Sequence, residues 1–367
     1  MTALALANDA VNLGQGFPDT DGPSSMLTAA QEAIAGGLNQ YPPGPGMPVL
    51  RAAVAADRLA RYGQVLDPDT EVLVTVGATE AVTAALLALV EPGDEVLVLD
   101  PSYDSYAAAV ALAGARAVRV SLVSDGLRFA LDLDAVRAAT GPQTRVLLVN
   151  SPHNPTGTVF TDDELRGLAA LAVERDLVVI TDEVYEHLLF DGRRHLPLCT
   201  LPGMAQRTLS VSSAAKTFNA TGWKTGWVCG PPELVAAVRA AKQFLTFVGA
   251  APFQPAVAHA LTHEQQWVVG LRESLQRKRD MLSAMLTEVG MTVHASEGTY
   301  FVCADPRPLG VTDAAAFCRE LPGRAGVAAV PVSVFCEDPG PWSHLLRFAF
   351  CKRDSVLLEA GARLSRL

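Results

Sequence analysis

The sequence predicts an α/β protein built around a parallel sheet, and three features of the chain indicate it. Short, nearly continuous apolar runs recur from Glu71 onward, as expected of strands buried on both faces: EVLVTV, EVLVLD, RAVRVSL, RVLLVN and LVVITDE. Ala- and Leu-rich stretches of helical character separate them, such as residues 79–90 and 161–175, the latter opening with a T-x-x-E capping box. With 367 residues the chain can bury a large core and form more than one domain.

The regions outside this alternating part predict loops, helices and a second unit. Residues 11–19, VNLGQGFPD, form a Gly- and Pro-punctuated loop whose backbone can approach a ligand closely. Helices are expected over about 23–34 and from Pro48, with Tyr41 at the head of the Pro/Gly turn between them. A long helix is expected over about 255–289. The rest predicts a smaller α+β unit, with short strands near 300–304 and 345–350 and helices near 312 and 355.

Composition excludes several classes of protein. The formal charge of −10 and the absence of a clustered basic face argue against a nucleic-acid partner. The six cysteines form no C-x-x-C pair and no metal-ligand spacing, so we expect reduced thiols and no metal. No apolar run reaches membrane-spanning length, and the N-terminus lacks a basic signal-peptide region. We therefore expect a cytoplasmic protein without a membrane partner.

Polar residues follow several of the predicted strands. Ligands of parallel sheets bind beyond the carboxyl ends of the strands. Gly77, Ala78 and Thr79 end one strand and open a helix, where backbone amides can receive an anion. Other candidates in equivalent places are Tyr103, Asn154, Asp182, Ser213 and Lys216. The chain contains no G-x-G-x-x-G, G-x-x-x-x-G-K-[ST], G-x-S-x-G or H-E-x-x-H motif, which removes the usual support for dinucleotide, nucleotide, serine-hydrolase and zincin functions.

The stretch TLSVSSAAKTFNATGWKTGW, residues 208–227, holds the candidate nucleophile. Lys216 lies among small residues after a buried strand, where desolvation lowers an ammonium pKa toward the nucleophilic amine. Ser213 and Lys224 could converge on a phosphate while Lys216 holds an aldehyde, which is the arrangement that pyridoxal phosphate (PLP) requires. On this stretch alone, Lys216 could equally be an ordinary surface lysine.

Six motifs in order carry a resemblance that covers nearly the whole chain: NLGQGFPD, NQYPPGPG, NSPHNPTG, TDEVY, SSAAKTFNATGWK and LLRFAF. Together they resemble the class I/II aminotransferases, the PLP-dependent family of fold type I. GQGFPD and AKTFNATGWK are similar to the kynurenine aminotransferase-like branch, and the overall resemblance is greatest to the actinobacterial N-succinyldiaminopimelate aminotransferases. The resemblance implies a large domain with a mostly parallel seven-stranded sheet between helices, over residues 46–250, and a small α+β domain of residues 1–45 and 251–367.

The resemblance also assigns roles around the ring of the cofactor. Lys216 would form an imine with PLP and shuttle the proton of the substrate, acting as nucleophile and general base. Asp182 would keep the pyridine nitrogen protonated, although a helix cap or salt bridge is the simpler role for this residue alone. Tyr185 and Asn154 would hydrogen-bond the phenolic oxygen, and Tyr103 would stack on the ring.

Further residues would bind the phosphate and the substrate. The phosphate would be held at the helix start by Gly77, Ala78 and Thr79, by Ser213 and Lys224, and by Tyr41 of the other subunit of a homodimer. Many family members carry arginine in place of Lys224, and lysine lacks the bidentate fork. Arg347 would bind the substrate α-carboxylate together with Asn154, and the backbone of Gly16 would close over the substrate. Cis peptide bonds are implied before Pro155 and Pro101. Without the resemblance, Arg347 could be a buried structural arginine and Tyr41 a packing aromatic.

The expected activity is transamination in two half-reactions, with glutamate and 2-oxoglutarate as one substrate pair. The resemblance implies N-succinyl-diaminopimelate and its 6-oxo acid as the other pair, in lysine biosynthesis. Transamination of kynurenine or glutamine, or β-elimination from cysteine S-conjugates, are alternatives that use the same cofactor. A PLP-sensing transcription factor would need a basic helix-turn-helix at the N-terminus, and the chain instead reaches the GQGFPD loop by residue 14.

Overall fold

A seven-stranded sheet flanked by helices dominates the computed structural model, which describes residues 1–367. The strands of the chain are β1 Val11–Asn12, β2 Val72–Thr75, β3 Glu95–Asp100, β4 Arg116–Ser121, β5 Val123–Ser124, β6 Phe129–Ala130, β7 Thr144–Asn150, β8 Val178–Asp182, β9 Thr208–Ser213, β10 Gly226–Cys229, β11 Thr292–Val293, β12 Phe301–Asp305, β13 Val327–Ala328, β14 Val330–Pro331 and β15 Leu346–Ala349. The large sheet has the order β2-β10-β9-β8-β7-β3-β4, and only β10 runs against its neighbours. The predicted α/β class and mostly parallel sheet are confirmed.

Helices cover both faces of this sheet and one side of a smaller one. The helices are α1 Thr2–Ala7, α2 Ser24–Ala35, α3 Pro48–Tyr62, α4 Gly77–Leu89, α5 Ser105–Leu112, α6 Leu133–Ala139, α7 Asp162–Glu174, α8 Ala214–Thr217, α9 Pro232–Lys242, α10 Phe253–His263, α11 Gln265–Glu288, α12 Ala314–Ala325 and α13 Asp354–Leu364. Thr161 and Glu164 form the expected capping box at the start of α7. No helix is long and apolar enough to cross a membrane.

Parallel strands bring the polar residues at their carboxyl ends to one edge of the sheet. Strands β7 and β8 are in register with Asn150 beside Asp182, and Asp182 lies beside Val211 of β9. Thr75 of β2 and Ser213 of β9 both pair with Gly226 of β10. The residues that follow these strand ends therefore surround the same space.

A second sheet has the antiparallel order β11-β12-β15-β14, and α11, α12 and α13 pack with it around one apolar core. β1 pairs with β13, which joins the N-terminal segment to this part of the chain. Met26 and Ala30 of α2 share a core with Val72 and Val74 of β2, so part of the N-terminal region also packs with the large sheet. The division into residues 46–250 and residues 1–45 with 251–367 stays a prediction.

Two expectations about individual elements were wrong. The run RAVRVSL does not form a strand buried on both faces: β4 is an edge strand in which only Val120 is fully buried. The single long helix expected over 255–289 is two helices, α10 and α11, separated at Glu264. The hydroxyl of Ser25 donates to the Glu264 carboxylate, and α10 packs against α2 and α3. A tertiary contact thus accompanies a break that no glycine or proline marks in the sequence.

Candidate active site

A cavity opens at the carboxyl edge of the large sheet and gathers most of the predicted site residues. Its lining includes ten of them: Gly77, Ala78, Thr79, Tyr103, Asn154, Asp182, Tyr185, Ser213, Lys216 and Lys224. An adjoining cavity shares Tyr103, Asn154, Tyr185 and Lys216 and adds two more, Gly16 and Arg347. The substrate side and the sheet side of the predicted site are therefore continuous, with Lys216 on the boundary between them.

Lys216 lies on the short helix α8, directly after β9. Its Nζ donates a hydrogen bond to Tyr300 Oη over 2.7 Å, and Tyr300 donates to the carbonyl oxygen of Gly16 over 2.5 Å. Burial lowers the pKa of Lys216 from 10.5 to about 8, with nearby Asp182 acting against this shift and Lys224 adding to it. A substantial fraction of this lysine is consequently a neutral amine near physiological pH.

The lowered pKa gives a pH dependence for the reaction of Lys216 with an aldehyde. The ammonium form of Lys216 prevails below a pH of about 8 and the nucleophilic amine above it. We expect the rate at which Lys216 forms an imine with an added aldehyde, followed by the growth of imine absorbance, to rise with pH and to level off above about pH 9. A rate that keeps rising up to the ordinary lysine pKa of about 10.4 would contradict the environment described for Lys216.

Asp182 lies at the end of β8 at the bottom of the cavity and is 5% exposed. Burial raises the pKa of its carboxyl group, whereas a hydrogen bond from Tyr106 Oη to Oδ2 (2.6 Å) and the charge of Lys216 favour the ionised form. The side-chain amide of Asn150 donates to the Asp182 carbonyl oxygen over 2.9 Å and fixes the backbone. The carboxylate has no cationic side chain within salt-bridge distance. It can therefore pair with a cationic group of a bound ligand.

Glu183, the residue after Asp182, forms a buried salt bridge. A salt bridge was the simpler role that the sequence offered for Asp182 itself. Glu183 is buried and accepts from Arg58 over 2.7 Å and from the Thr181 hydroxyl over 2.8 Å. Burial raises the pKa of Glu183, but Arg58 and His195 together hold it below its usual value. This ion pair ties α3 to the end of β8 on the side away from the cavity, and Asp182 is left free to face inward.

The N-terminus of α4 forms the other end of the cavity. The Lys224 ammonium lies 3.2 Å from the position that a Cβ on Gly77 would occupy, beside the first turn of the helix. A Cβ on Gly226 would come within 2.7 Å of the Gly77 backbone, so this glycine lets β10 pack against the helix start. The Ser213 hydroxyl does not cap α8 and lines the cavity. Helix dipole, hydroxyl and ammonium together favour an anion with several oxygens.

Arg347 of β15 is buried yet has no acidic partner. Its Nη1 donates to Asn154 Oδ1 over 2.9 Å and its Nη2 to the Gly14 carbonyl oxygen over 3.2 Å, while Nε has no partner. The guanidinium lies between the rings of Phe301 and Phe335, 4.0 and 4.5 Å from their centroids. Burial lowers the pKa of Arg347. A buried cation without a counterion calls for an anionic ligand.

Backbone geometry brings the remaining predicted residues close to the cavity, with one exception. A Cβ on Gly16 would lie 2.3 Å from the Phe301 ring, so only glycine lets this loop close over the site. The peptide bonds before Pro101 and Pro155 are cis, as expected, and the bond before Pro152 is also cis. Tyr41 lies outside both cavities, with 81% of its surface exposed and an edge-to-face contact to Phe247.

Sequence reasoning missed three residues of the site. Tyr106 lies in the first turn of α5, and its ring contacts that of Tyr103, which precedes the helix, with 5.7 Å between the centroids. Asn150 ends a strand as Asp182 does, and its Oδ1 accepts from the Asn154 backbone amide over 2.7 Å. Tyr300, directly before β12, contacts Lys216, and the sequence contains no signal for that long-range contact.

Comparison with known proteins agrees with this geometry. The family model described as aminotransferase class I and II matches residues 8–363. The chain is 62% identical to the probable N-succinyldiaminopimelate aminotransferase DapC of Mycobacterium tuberculosis, over 100% of this chain and 94% of that protein. It is 40% identical to the methionine aminotransferase of Escherichia coli, over 100% of this chain and 94% of the relative.

Solved structures show the same similarity in three dimensions. The N-succinyldiaminopimelate aminotransferase from Mycobacterium tuberculosis superposes with a TM-score of 0.98 at 63% identity, over 100% of this chain and 95% of that one. The methionine aminotransferase YbdL from Escherichia coli gives a TM-score of 0.96 at 40% identity, with the same coverage of both chains. The chain therefore belongs to the class I and II aminotransferase family.

Proposed function

We propose that this enzyme transfers an amino group between glutamate and the 6-oxo acid of N-succinyl-diaminopimelate, a reaction of lysine biosynthesis, with PLP as cofactor. The observation that supports transamination most directly is the position of Lys216, between a cavity that ends in Asp182 and one that ends in Arg347. The second substrate is proposed from the 62% identity to the Mycobacterium tuberculosis relative.

The chemistry of the lining fits PLP. Asp182 at one end can pair with a protonated pyridine nitrogen, and the α4 N-terminus with Ser213 and Lys224 at the other can bind a phosphate. Tyr103 supplies an aromatic surface between them, and Asn154 and Tyr185 supply polar atoms for the ring substituent. When bound, PLP supplies an electron sink that stabilises negative charge at the substrate Cα.

The residues of the chain then bind the substrate and move its proton. Arg347 binds the α-carboxylate through its guanidinium, and Asn154 Oδ1 holds the arginine in place. This orients the Cα–H bond toward Lys216, whose amine has a pKa low enough to act as a base near neutral pH. Tyr300 accepts a hydrogen bond from this amine and, through Gly16, links the base to the loop over the substrate.

We further propose a cytoplasmic homodimer in which Tyr41 completes the phosphate site of the other subunit. Tyr41 is exposed and contacts Phe247, and Phe244, three positions before Phe247, is 85% exposed. A second copy of the chain would bury this patch. Sedimentation of the cofactor-loaded enzyme as a monomer at micromolar concentration would rule the arrangement out.

A direct comparison of amino donors tests the proposed substrate. With 2-oxoglutarate as acceptor, we expect kcat/KM for N-succinyl-diaminopimelate to exceed those for methionine and kynurenine by at least about tenfold, since the relative named for this substrate is 62% identical to the chain and the methionine aminotransferase 40%. Faster turnover of methionine or kynurenine would show that the enzyme acts on that amino donor instead. Release of pyruvate and ammonia from a cysteine S-conjugate would instead indicate β-elimination.

A further inference from the structure

The outer part of the substrate cavity is formed by one face of α12. Ala315, Cys318 and Arg319, spaced three and four residues apart, all line it. Strand β14 lies between this helix and the inner arginine, because Val330 pairs directly with Arg347 and α12 packs on β14. Ala315 and Cys318 contribute only small side chains to this part of the lining.

Arg319 is the only cationic side chain that α12 contributes to the cavity, and no other interaction of the chain uses it. It is exposed and takes part in none of the hydrogen bonds and salt bridges of the chain, in contrast to Arg279 and Arg307, which are paired with acids. The cavity lining contains three cationic side chains, Lys216, Arg319 and Arg347, and a single carboxylate, Asp104. Lys216 is taken up by the cofactor in the proposed function, so Arg319 is the guanidinium that remains for a second anionic group once Arg347 binds the α-carboxylate.

We propose that Arg319 is a specificity residue that binds a carboxylate at the far end of a long amino-acid substrate, while Arg347 binds the α-carboxylate. The proposal rests on the aminotransferase function and specifies the substrate class of the same site: amino acids with an extended chain and a distal carboxylate. Guanidinium groups suit both positions because they bind carboxylates bidentately. The negative charge of Asp104 disfavours the binding of a distal carboxylate, and the positive charge of Arg319 offsets this effect.

The test compares two amino donors whose side chains match in length when one carboxylate oxygen is counted as a chain atom: 2-aminopimelate, which has a distal carboxylate, and 2-aminooctanoate, which ends in a methyl group. In the cofactor-loaded enzyme, Arg319→Ala is expected to lower kcat/KM for 2-aminopimelate about tenfold and to leave that for 2-aminooctanoate unchanged within about twofold. If a donor does not turn over, its inhibition constant against glutamate is compared in the same way. Arg319→Lys should recover part of the loss.

Arg324→Ala is the matched control, since Arg324 lies on the same helix but outside the cavity. It should leave both donors unaffected. Equal losses for the two donors in Arg319→Ala, or no loss for either, would overturn the proposal. If wild-type enzyme fails to use N-succinyl-diaminopimelate but the donor ratio still depends on Arg319, the proposed substrate is wrong and the role of Arg319 stands.

Discussion

Replacing Lys216 with alanine is expected to abolish transamination, with a loss of at least about 10⁴-fold in kcat. The reason is that one amine both carries the cofactor and moves the substrate proton, and general acid–base catalysis alone contributes about 10²–10⁴-fold. The structure offers no substitute base, because Lys224 lies at the phosphate end of the cavity beside Gly77. The loss is measured by steady-state kinetics and by the disappearance of the imine absorbance of the loaded enzyme.

The control is Lys278→Ala, which removes a lysine that pairs with Asp354 on α13 far from the cavity. This variant should keep both activity and absorbance. A small added amine should restore part of the activity of Lys216→Ala, since it can replace the missing proton-transferring group while Arg347 and Asp182 remain in place. Brisk turnover by Lys216→Ala without an added amine would show that another residue performs the chemistry.

Replacing Asp182 with asparagine is expected to lower kcat by about 10²–10³-fold, the cost of removing one charge-stabilising group from an enclosed site. Asparagine keeps the size of the side chain and can still accept a hydrogen bond from Tyr106, but it cannot keep a pyridine nitrogen protonated. Cofactor should still attach to Lys216, so absorbance persists while turnover falls.

Tyr106→Phe separates the charge of Asp182 from its orientation. It removes the 2.6 Å hydrogen bond and leaves the carboxylate in place, so we expect a loss of about tenfold or less. If Asp182→Asn retained more than about half of the wild-type kcat, the carboxylate would have no part in activating the cofactor. A larger loss in Tyr106→Phe than in Asp182→Asn would instead assign the main role to the tyrosine.

Local sequence signals predicted those parts of the fold that depend on residues close to one another in the chain. Continuous apolar runs fixed the buried strands, and Thr161 with Glu164 fixed the start of α7, because periodicity and capping depend on neighbouring residues. Asn154, Asp182 and Lys216 lie at or after the carboxyl ends of strands. Because parallel strands run in the same direction, the sequence predicted all three at one edge of the sheet. The family resemblance supplied the residues that lie outside this rule, such as Gly16 and Arg347.

Features decided by tertiary contacts were not accessible in the same way. The break at Glu264 lies where α10 packs against α2, and nothing in THEQQ indicates it. Strand β4 carries Arg119 between Val118 and Val120, but its place at the sheet edge depends on the strand order. Tyr300 meets Lys216 across 84 positions of sequence, and Arg319 becomes a candidate only once α12 is seen over the cavity.

The most direct test of the account is to locate the covalent link. Enzyme saturated with PLP, reduced with borohydride and digested with trypsin should give a single modified peptide, whose added mass lies on Lys216. The same treatment of Lys216→Ala should give none. A modified lysine elsewhere in the chain, or an unmodified Lys216 in enzyme that transaminates, would contradict the assignment of this residue as the centre of the site.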